Sequence, residues 1–151
     1  MKTETKYFGE IDYGPEELLT FPKGLFGFEE EHDFLLLTFS ENGALFCLQS
    51  VQTPPLCFVL LHPFSLDSGY APTLQPEELS ALKAEKSEDL YYYVLCAVKK
   101  PAGESTVNMK CPVAINPDTR EAMQVILEDD GTWQMRHRLA EFEVRKGAKP
   151  C

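Results

Sequence analysis

The chain has 151 residues, of which 44% are hydrophobic, and its formal net charge is −10 at pH 7. This length suits one folded domain with its own core, and the composition excludes a disordered chain. The charge is uneven, since residues 1–98 hold 16 acidic and 5 basic side chains whereas residues 99–151 are nearly neutral. An acidic body argues against direct binding of RNA or DNA, whose phosphates a binding protein must neutralise, and is compatible with a basic protein partner.

The sequence offers no sign of a membrane segment or of secretion. No apolar run reaches the roughly 18 residues that a membrane-spanning helix needs, and residues 1–6 lack the apolar stretch of a secretory signal. Four of the five cysteines lie inside apolar segments, where we expect them to be small buried hydrophobes in a reducing cytosol. We therefore expect a cytoplasmic protein. The cysteines are Cys47, Cys57, Cys96, Cys111 and Cys151.

Short apolar runs predict a series of strands. The alternation within residues 7–13 is typical of a half-buried strand, and the continuous runs at residues 34–39 and 56–61 predict buried ones. Asn42-Gly43 predicts a hairpin, because these residues adopt the positive φ that a tight turn between strands needs. The predicted strands cover residues 7–13, 17–21, 34–39, 44–50, 56–61, 90–98, 105–109, 111–116, 124–127 and 133–139.

Helical signals are few. Pro76 followed by two glutamates predicts a helix over residues 76–84, because proline suits a first turn and acidic side chains favour the N-terminal end of a helix. Residues 119–123 are predicted to form a helical turn, and residues 129–131 a hairpin that leads into the last strand.

Many short strands with turns between them are typical of antiparallel β folds. We predict a mainly β, antiparallel β-barrel-like single domain of about ten short strands with one or two short helices; a β-sandwich stays open as an alternative. The domain is expected to span residues 1–139, and residues 140–151 are expected to form a frayed tail.

Residues 21–29, with the sequence FPKGLFGFE, form an unusual turn. Proline and two glycines prevent a regular helix or strand, yet the segment holds four large apolar side chains. These side chains either plug the end of the core or form a contact surface for another protein. The strands hold enough apolar residues to fill a core alone, so we expect Phe21 and Leu25 to point inward. Phe26 and Phe28 are then expected nearer the surface.

The residues form no recognisable active site. His32, His62 and His137 stand far apart without metal-ligand spacing, and His32 is expected to be solvated in its acidic turn. Lys110 beside Cys111 would favour a thiolate, but a buried structural thiol is the alternative that we expect. We therefore expect no metal, no cofactor and no catalytic activity.

Four blocks of the sequence stand out by their order and spacing. The blocks are residues 21–29, 48–50, 106–116 and 124–127. Together they resemble the flagellar assembly factor FliW family over nearly the whole chain. The family usually has proline where Phe26 stands, leucine where Met109 stands and alanine where Cys111 stands. Phe26 is the largest of these departures, because it adds a ring and frees φ.

The resemblance implies a partner-switching regulator without catalysis. Proteins of this family bind the RNA-binding translational repressor CsrA and relieve its repression of flagellin messenger RNA. They also bind newly made flagellin, which draws them away from CsrA. The resemblance thus implies these two protein partners. From the acidic body and the lack of a long apolar run we expect no direct contact with nucleic acid or membrane, and we expect a monomer when no partner is bound.

Seven residues are candidates for partner contact. Aromatic side chains are enriched at the centres of interfaces, and the acids next to them would meet a basic partner. The two asparagines flank a kinked segment, where hydrogen bonding to local backbone is the open alternative. The candidates are Phe26, Phe28, Glu29, Glu30, Glu31, Asn108 and Asn116.

A different class of function stays open, namely a stand-alone β-barrel that holds a small molecule in its interior. The inward positions of the predicted strands argue against it, because they are Leu, Phe, Val and Tyr, which are bulky enough to fill a small barrel.

Overall fold

The computed structural model describes residues 1–39, 45–128 and 131–142, and its secondary structure is mainly antiparallel β, as predicted. The strands are β1 (Lys2–Thr5), β2 (Gly9–Asp12), β3 (Leu18–Thr20), β4 (Asp33–Thr38), β5 (Leu45–Ser50), β6 (Cys57–Leu61), β7 (Tyr91–Ala97), β8 (Thr106–Val107), β9 (Val113–Ile115), β10 (Ala122–Gln124) and β11 (His137–Arg138). The short helices are α1 (Pro63–Leu66) and α2 (Pro76–Ala81), and 3-10 turns occupy Pro15–Glu17, Ser87–Asp89 and Ala102–Glu104. None of the helices in these ranges is long and apolar enough to cross a membrane.

One nine-stranded sheet forms the body of the molecule. Its main path runs β10-β9-β7-β6-β5-β4-β3, and β8 and β11 extend it beside β7. The two ends of the path come together at a parallel bridge between Thr20 and Glu121. There the Thr20 N–H donates to the Arg120 carbonyl at 2.9 Å. We call this meeting point the seam. The sheet is therefore barrel-like without being closed.

The strands from β3 to β7 form an antiparallel meander, because each pairs with the next strand along the chain. The predicted Asn42-Gly43 turn between β4 and β5 lies outside the described residues. Residues 105–116 form two short strands separated by a kink, as predicted, and both pair with β7. The first half of β7 pairs with β9 and the second half pairs with β8.

The core consists of two apolar clusters on opposite faces of the sheet. Successive side chains of a strand point to opposite faces, so Tyr92 and Val94 of β7 belong to one cluster while Tyr93 belongs to the other. Phe21 and Leu25, from the unusual turn, lie in the cluster that also contains Tyr93.

The N-terminal hairpin of β1 and β2 is a separate two-stranded sheet, and β1 was not predicted. It is tied to the body through Gln49, which is fully buried in β5. The Gln49 side-chain oxygen accepts the Lys6 N–H at 2.9 Å, and its amide donates to the Pro54 carbonyl at 2.8 Å. These bonds satisfy a polar side chain that would otherwise be costly to bury.

Two predictions around β10 and β11 were wrong. Residues 119–123 do not form a helical turn, because β10 begins at Ala122 and pairs with β9. The last strand was predicted to return as a hairpin, but β11 pairs with β8, placing His137 opposite Val107. In both places a long-range strand partner decides the conformation, and a local pattern does not reveal such a partner.

Neighbouring strands also change the expected state of two cysteines. Cys47 on β5 and Cys57 on β6 are not separate thiols, because their sulfurs are joined as a disulfide with the Cα atoms 6.2 Å apart. Cys111 is fully buried, as expected, and burial raises the pKa of its thiol although Asn108 and Lys110 act in the opposite direction. Burial likewise raises the pKa of the Cys96 thiol.

The start of the predicted tail is not frayed. Residues 139–142 are helical, and Phe142 is buried in the first cluster, where its ring lies 5.8 Å from that of His137. The His137 Nδ1 lies 3.0 Å from the Glu141 carboxylate, and this contact lowers the pKa of Glu141. Residues 143–151 of the predicted tail lie outside the described residues.

We predict that Phe142→Ala lowers the free energy of unfolding by about 3–5 kcal/mol, because it removes a buried ring and leaves a cavity. Urea unfolding followed by circular dichroism measures this loss. Met135→Ala, at an exposed side chain nearby in sequence, is the control and is expected to change the value by about 0.5 kcal/mol or less. Equal effects of the two substitutions would contradict a structural role for Phe142.

Candidate partner-binding surface

The segment that follows β3 is anchored at its base by a reciprocal pair of contacts between Phe21 and His32. The Phe21 N–H donates to the His32 carbonyl at 2.7 Å, and the His32 Nδ1 lies 2.8 Å from the Phe21 carbonyl. Because a carbonyl only accepts, Nδ1 carries the hydrogen. His32 is therefore half-buried and bonded to backbone, whereas the sequence predicted a solvated side chain.

Two glycines shape the segment into a tight turn. Gly24 has a φ of +66°, and a Cβ at this position would collide with the Phe28 carbonyl and the Glu29 backbone. Leu25 and Phe28 bond each other's backbone, with N···O distances of 3.3 and 2.8 Å. Gly27, with a φ of +87°, then occupies the third position of the turn, where a type II turn requires positive φ.

Phe26 occupies the second position of this turn. That position can hold either proline or phenylalanine. Proline is common there in type II turns, and phenylalanine keeps the turn because Gly27 still supplies the positive φ. Phenylalanine also adds a donor that proline lacks, since the Phe26 N–H bonds the Gln124 side-chain oxygen at 3.0 Å. In this chain the turn is therefore tied to β10 by a hydrogen bond that proline at position 26 cannot form.

The expected division of the apolar side chains is confirmed. Phe21 and Leu25 are 0% and 2% exposed, whereas Phe26 and Phe28 are 49% and 40% exposed. The Phe28 ring packs edge-on against Phe58 of β6 at 5.0 Å between centroids. The turn thus plugs the core with one pair of side chains and presents the other pair to solvent.

The three candidate acids have different surroundings. Glu29 and Glu30 are exposed, and the Glu29 carboxylate accepts the Gly27 N–H at 2.8 Å. Glu31 is half-buried, and its carboxylate accepts hydrogen bonds from the hydroxyls of Ser50 and Thr53. Glu29 and Glu30 are therefore free to face a partner, while Glu31 mainly fixes the turn to the end of β5.

Both candidate asparagines bond backbone, which is what the turn-forming alternative expects. The Asn108 side-chain oxygen accepts the Cys111 N–H at 3.0 Å and closes the kink between β8 and β9. Asn116 is buried, and its amide donates to the Leu82 carbonyl at 2.7 Å, directly after α2. Asn116 thereby holds the end of α2 against the turn that follows β9. A contact of either asparagine with a partner stays a prediction.

Gln124 holds the turn in place, although it was not among the residues predicted for the site. It is buried at the end of β10, where it accepts from Phe26 and donates to the Cys111 carbonyl at 3.1 Å. It therefore clamps the turn to the kink that precedes β9. The sequence feature that could have identified Gln124 is its polar amide directly before the apolar run Val125-Ile126-Leu127.

A groove of about 540 Å³ runs along β10 between the turn and α2. The turn supplies Lys23, Phe26 and Glu29 as one wall, and the start of α2 supplies Gln75 and Glu78 as the other. The floor consists of residues 123–126 and Glu128. We call it the seam groove, because it continues from the Thr20–Glu121 bridge. Its apolar side chains Phe26 and Ile126 are both about half exposed.

The side chains that line the groove are suited to binding by contact. Its titratable side chains are carboxylates and one lysine. Within residues 1–39, 45–128 and 131–142, no three histidine, cysteine or acidic side chains are grouped as a metal site. Exposed aromatic side chains with polar groups around them are typical of a protein-binding surface.

Comparisons with known proteins find one family over nearly the whole chain. A family model described as FliW protein matches residues 2–139. A flagellar assembly factor FliW from Geobacillus sp. (strain WCH70) is 38% identical over 97% of this chain and 100% of its own length. One from Shouchella clausii (strain KSM-K16) is 35% identical over 86% of this chain and 89% of its own length. A crystal structure of the flagellar assembly factor FliW, 36% identical, superposes with a TM-score of 0.83 over 92% of this chain and 96% of that chain.

We predict opposite outcomes for two substitutions in the turn. Phe21→Ala should lower the free energy of unfolding by about 3–5 kcal/mol because it empties a filled core position. Phe26→Ala should change it by about 0.5 kcal/mol or less, since the ring is half exposed. Urea unfolding of both variants measures the difference. A large loss from Phe26→Ala would mean that this ring also belongs to the core.

Proposed function

This chain belongs to the FliW family of flagellar assembly factors, and we propose that it works as a partner switch between a CsrA-type translational repressor and flagellin. Bound to the repressor, it would relieve repression of flagellin messenger RNA; bound to newly made flagellin, it would release the repressor. Flagellin then limits its own synthesis until export removes it. In this proposal the protein acts in the cytoplasm, without catalysis, and does not touch RNA.

The observation that carries the proposal is the exposed aromatic pair beside exposed carboxylates. Phe26 and Phe28 are the large apolar side chains that the turn presents to solvent, and Glu29 and Glu30 lie next to them. Aromatic anchors with charged neighbours provide both affinity and orientation at an interface. A repressor that binds RNA must carry basic surface, and carboxylates complement it.

The strongly negative body suggests how repression is relieved. Residues 1–98 carry a net charge of −11. When this body is held beside the basic RNA-binding groove of the repressor, it would repel RNA phosphates over about a Debye length, ~8 Å at physiological salt. Relief of repression would then need no physical occupation of the RNA site.

We predict that antagonism of RNA binding weakens as salt rises, because counterions screen the repulsion. The RNA affinity of the repressor is measured at low and at high salt, each time with and without this protein. A label on this protein reports whether it is still bound to the repressor. Equal antagonism at low and high salt in the intact complex would overturn the electrostatic mechanism.

We predict that Phe26→Ala weakens binding of the repressor by about tenfold or more, as expected for an aromatic anchor, without lowering the melting temperature. Titration calorimetry with the purified repressor measures the change. Met135→Ala is the matched control, since it removes another exposed side chain that does not line the groove. Phe26→Pro adds a second comparison, because it removes both the ring and the N–H that bonds Gln124.

The partner switch itself is tested by competition. Flagellin added to the preformed complex with the repressor should displace the repressor, and a pull-down from lysate of a flagellated host should recover the two as mutually exclusive partners. A stable complex of all three proteins would contradict the switch.

The alternative of a small-molecule barrel receives less support. The strands fill both faces of the sheet with the two apolar clusters.

A further inference from the structure

The edge of β10 beyond the seam has backbone groups that point away from β9. β10 is the end of the main sheet path, and within the described residues no strand pairs with its outer side after the Thr20–Glu121 bridge. The chain stays extended past Gln124, because the N–H groups of Val125 and Leu127 bond the carbonyls of Pro112 and Lys110 at 3.0 and 2.8 Å.

These bonds determine which residues face outward. In an antiparallel pair, the residues that bond the neighbour alternate with residues whose N–H and C=O point away from it. Val125 and Leu127 bond the β9 side, so the N–H and C=O of Gln124 and Ile126 point to the outer edge. That edge lies on the floor of the seam groove.

The side chains around this edge are suited to one type of ligand. Phe26 on one wall and Ile126 on the floor leave about half of their surface exposed, so each can pack against an apolar side chain. The described residues that line the groove include three carboxylates and one cation. The carboxylates are Glu29, Glu78 and Glu128, and the cation is Lys23. Such a rim repels phosphates and attracts lysine or arginine.

Unpaired edges are ready templates for another strand. A helix in the groove would leave the outward N–H and C=O groups of the edge without partners, whereas an extended segment bonds them directly. The combination of open ladder groups, two apolar contacts and an acidic rim therefore favours an extended basic segment over a helix or a small anion.

We propose that an extended segment of a basic protein partner adds as a strand to the outer edge of residues 124–126, with lysine or arginine side chains against the three glutamates. This inference rests on the proposed function, in which the basic partner is the CsrA-type repressor. It assigns the seam groove to that partner and goes further than the contact of Phe26 alone, because it makes backbone hydrogen bonds the main recognition element.

The test is residue-resolved amide hydrogen exchange by NMR, on the full chain with and without the purified repressor. The amides of Gln124 and Ile126 should exchange on the order of tenfold or more slowly in the complex, because they gain acceptors. Val125 and Leu127 are internal controls, since their amides are already bonded and should change much less.

Two variants at position 126 distinguish the contribution of the backbone hydrogen bond to binding from that of the side chain. Ile126→Ala removes the apolar contact alone, whereas Ile126→Pro also removes the outward N–H, at an edge position where proline is tolerated. Strand addition predicts that Ile126→Pro weakens binding of the repressor at least about tenfold more than Ile126→Ala, a difference of roughly 1.4 kcal/mol. Circular dichroism and thermal melting verify that both variants fold, and the exchange experiment on the unchanged chain stands even if one does not.

The outcomes distinguish this inference from the function on which it rests. A complex that forms without slower exchange at Gln124 and Ile126 would overturn strand addition and leave the partner switch intact. Absence of any complex with the repressor would overturn both. Slower exchange that is produced by flagellin and not by the repressor would overturn the assignment of the groove to the basic partner.

Discussion

The seam is the constraint on which the rest of this structure depends. A sheet that curls until its ends meet can close into a barrel only if the end strands share a full ladder. Here the ends share one parallel bridge, between Thr20 and Glu121. The chain leaves β3 directly after this bridge, so residues 21–29 cover the part of the seam where pairing stops. Phe21 and Leu25 exclude water from the core at that point, in place of a paired strand.

The same arrangement explains why the surface of the turn is available for binding. A turn with φ values near +66° and +87° at Gly24 and Gly27 reverses the chain sharply, so that side chains next to each other point in opposite directions. The buried pair supplies the stability, and Gln124 holds the tip against β10. Phe26 and Phe28 therefore sit on a fixed base. A rigid base lowers the entropy cost of binding, which suits the proposed partner switch.

Much of the fold could be predicted from local patterns. The meander strands, the short helix after Pro76 and the kinked pair of strands before Asn116 are encoded by apolar runs and by proline and glycine at defined places. The inward and outward division of the turn was also predictable, because the strands contain enough apolar residues to fill the core. The features that were wrongly predicted share one cause. The true partners of β10 and β11, the contact of His32 with Phe21 and the pairing of Cys47 with Cys57 all depend on residues that are distant in sequence or on neighbouring strands, and local preference carries little information about them.

The features of the candidate site also divide into those that the sequence predicts and those that only the structure shows. The sequence by itself determined the family, the acidic body, the β class and the turn at residues 21–29, because these follow from composition, spacing and the conformational limits of proline and glycine. Only the tertiary structure decided that Glu31 turns inward, that Asn108 and Asn116 hold backbone, and that Gln124 and Ile126 join the turn in one groove. The physical reason is the incomplete closure of the sheet. Whether the ends of a curled sheet pair fully or leave an open edge is decided by the register of every strand between them, and no single segment of the chain contains that information.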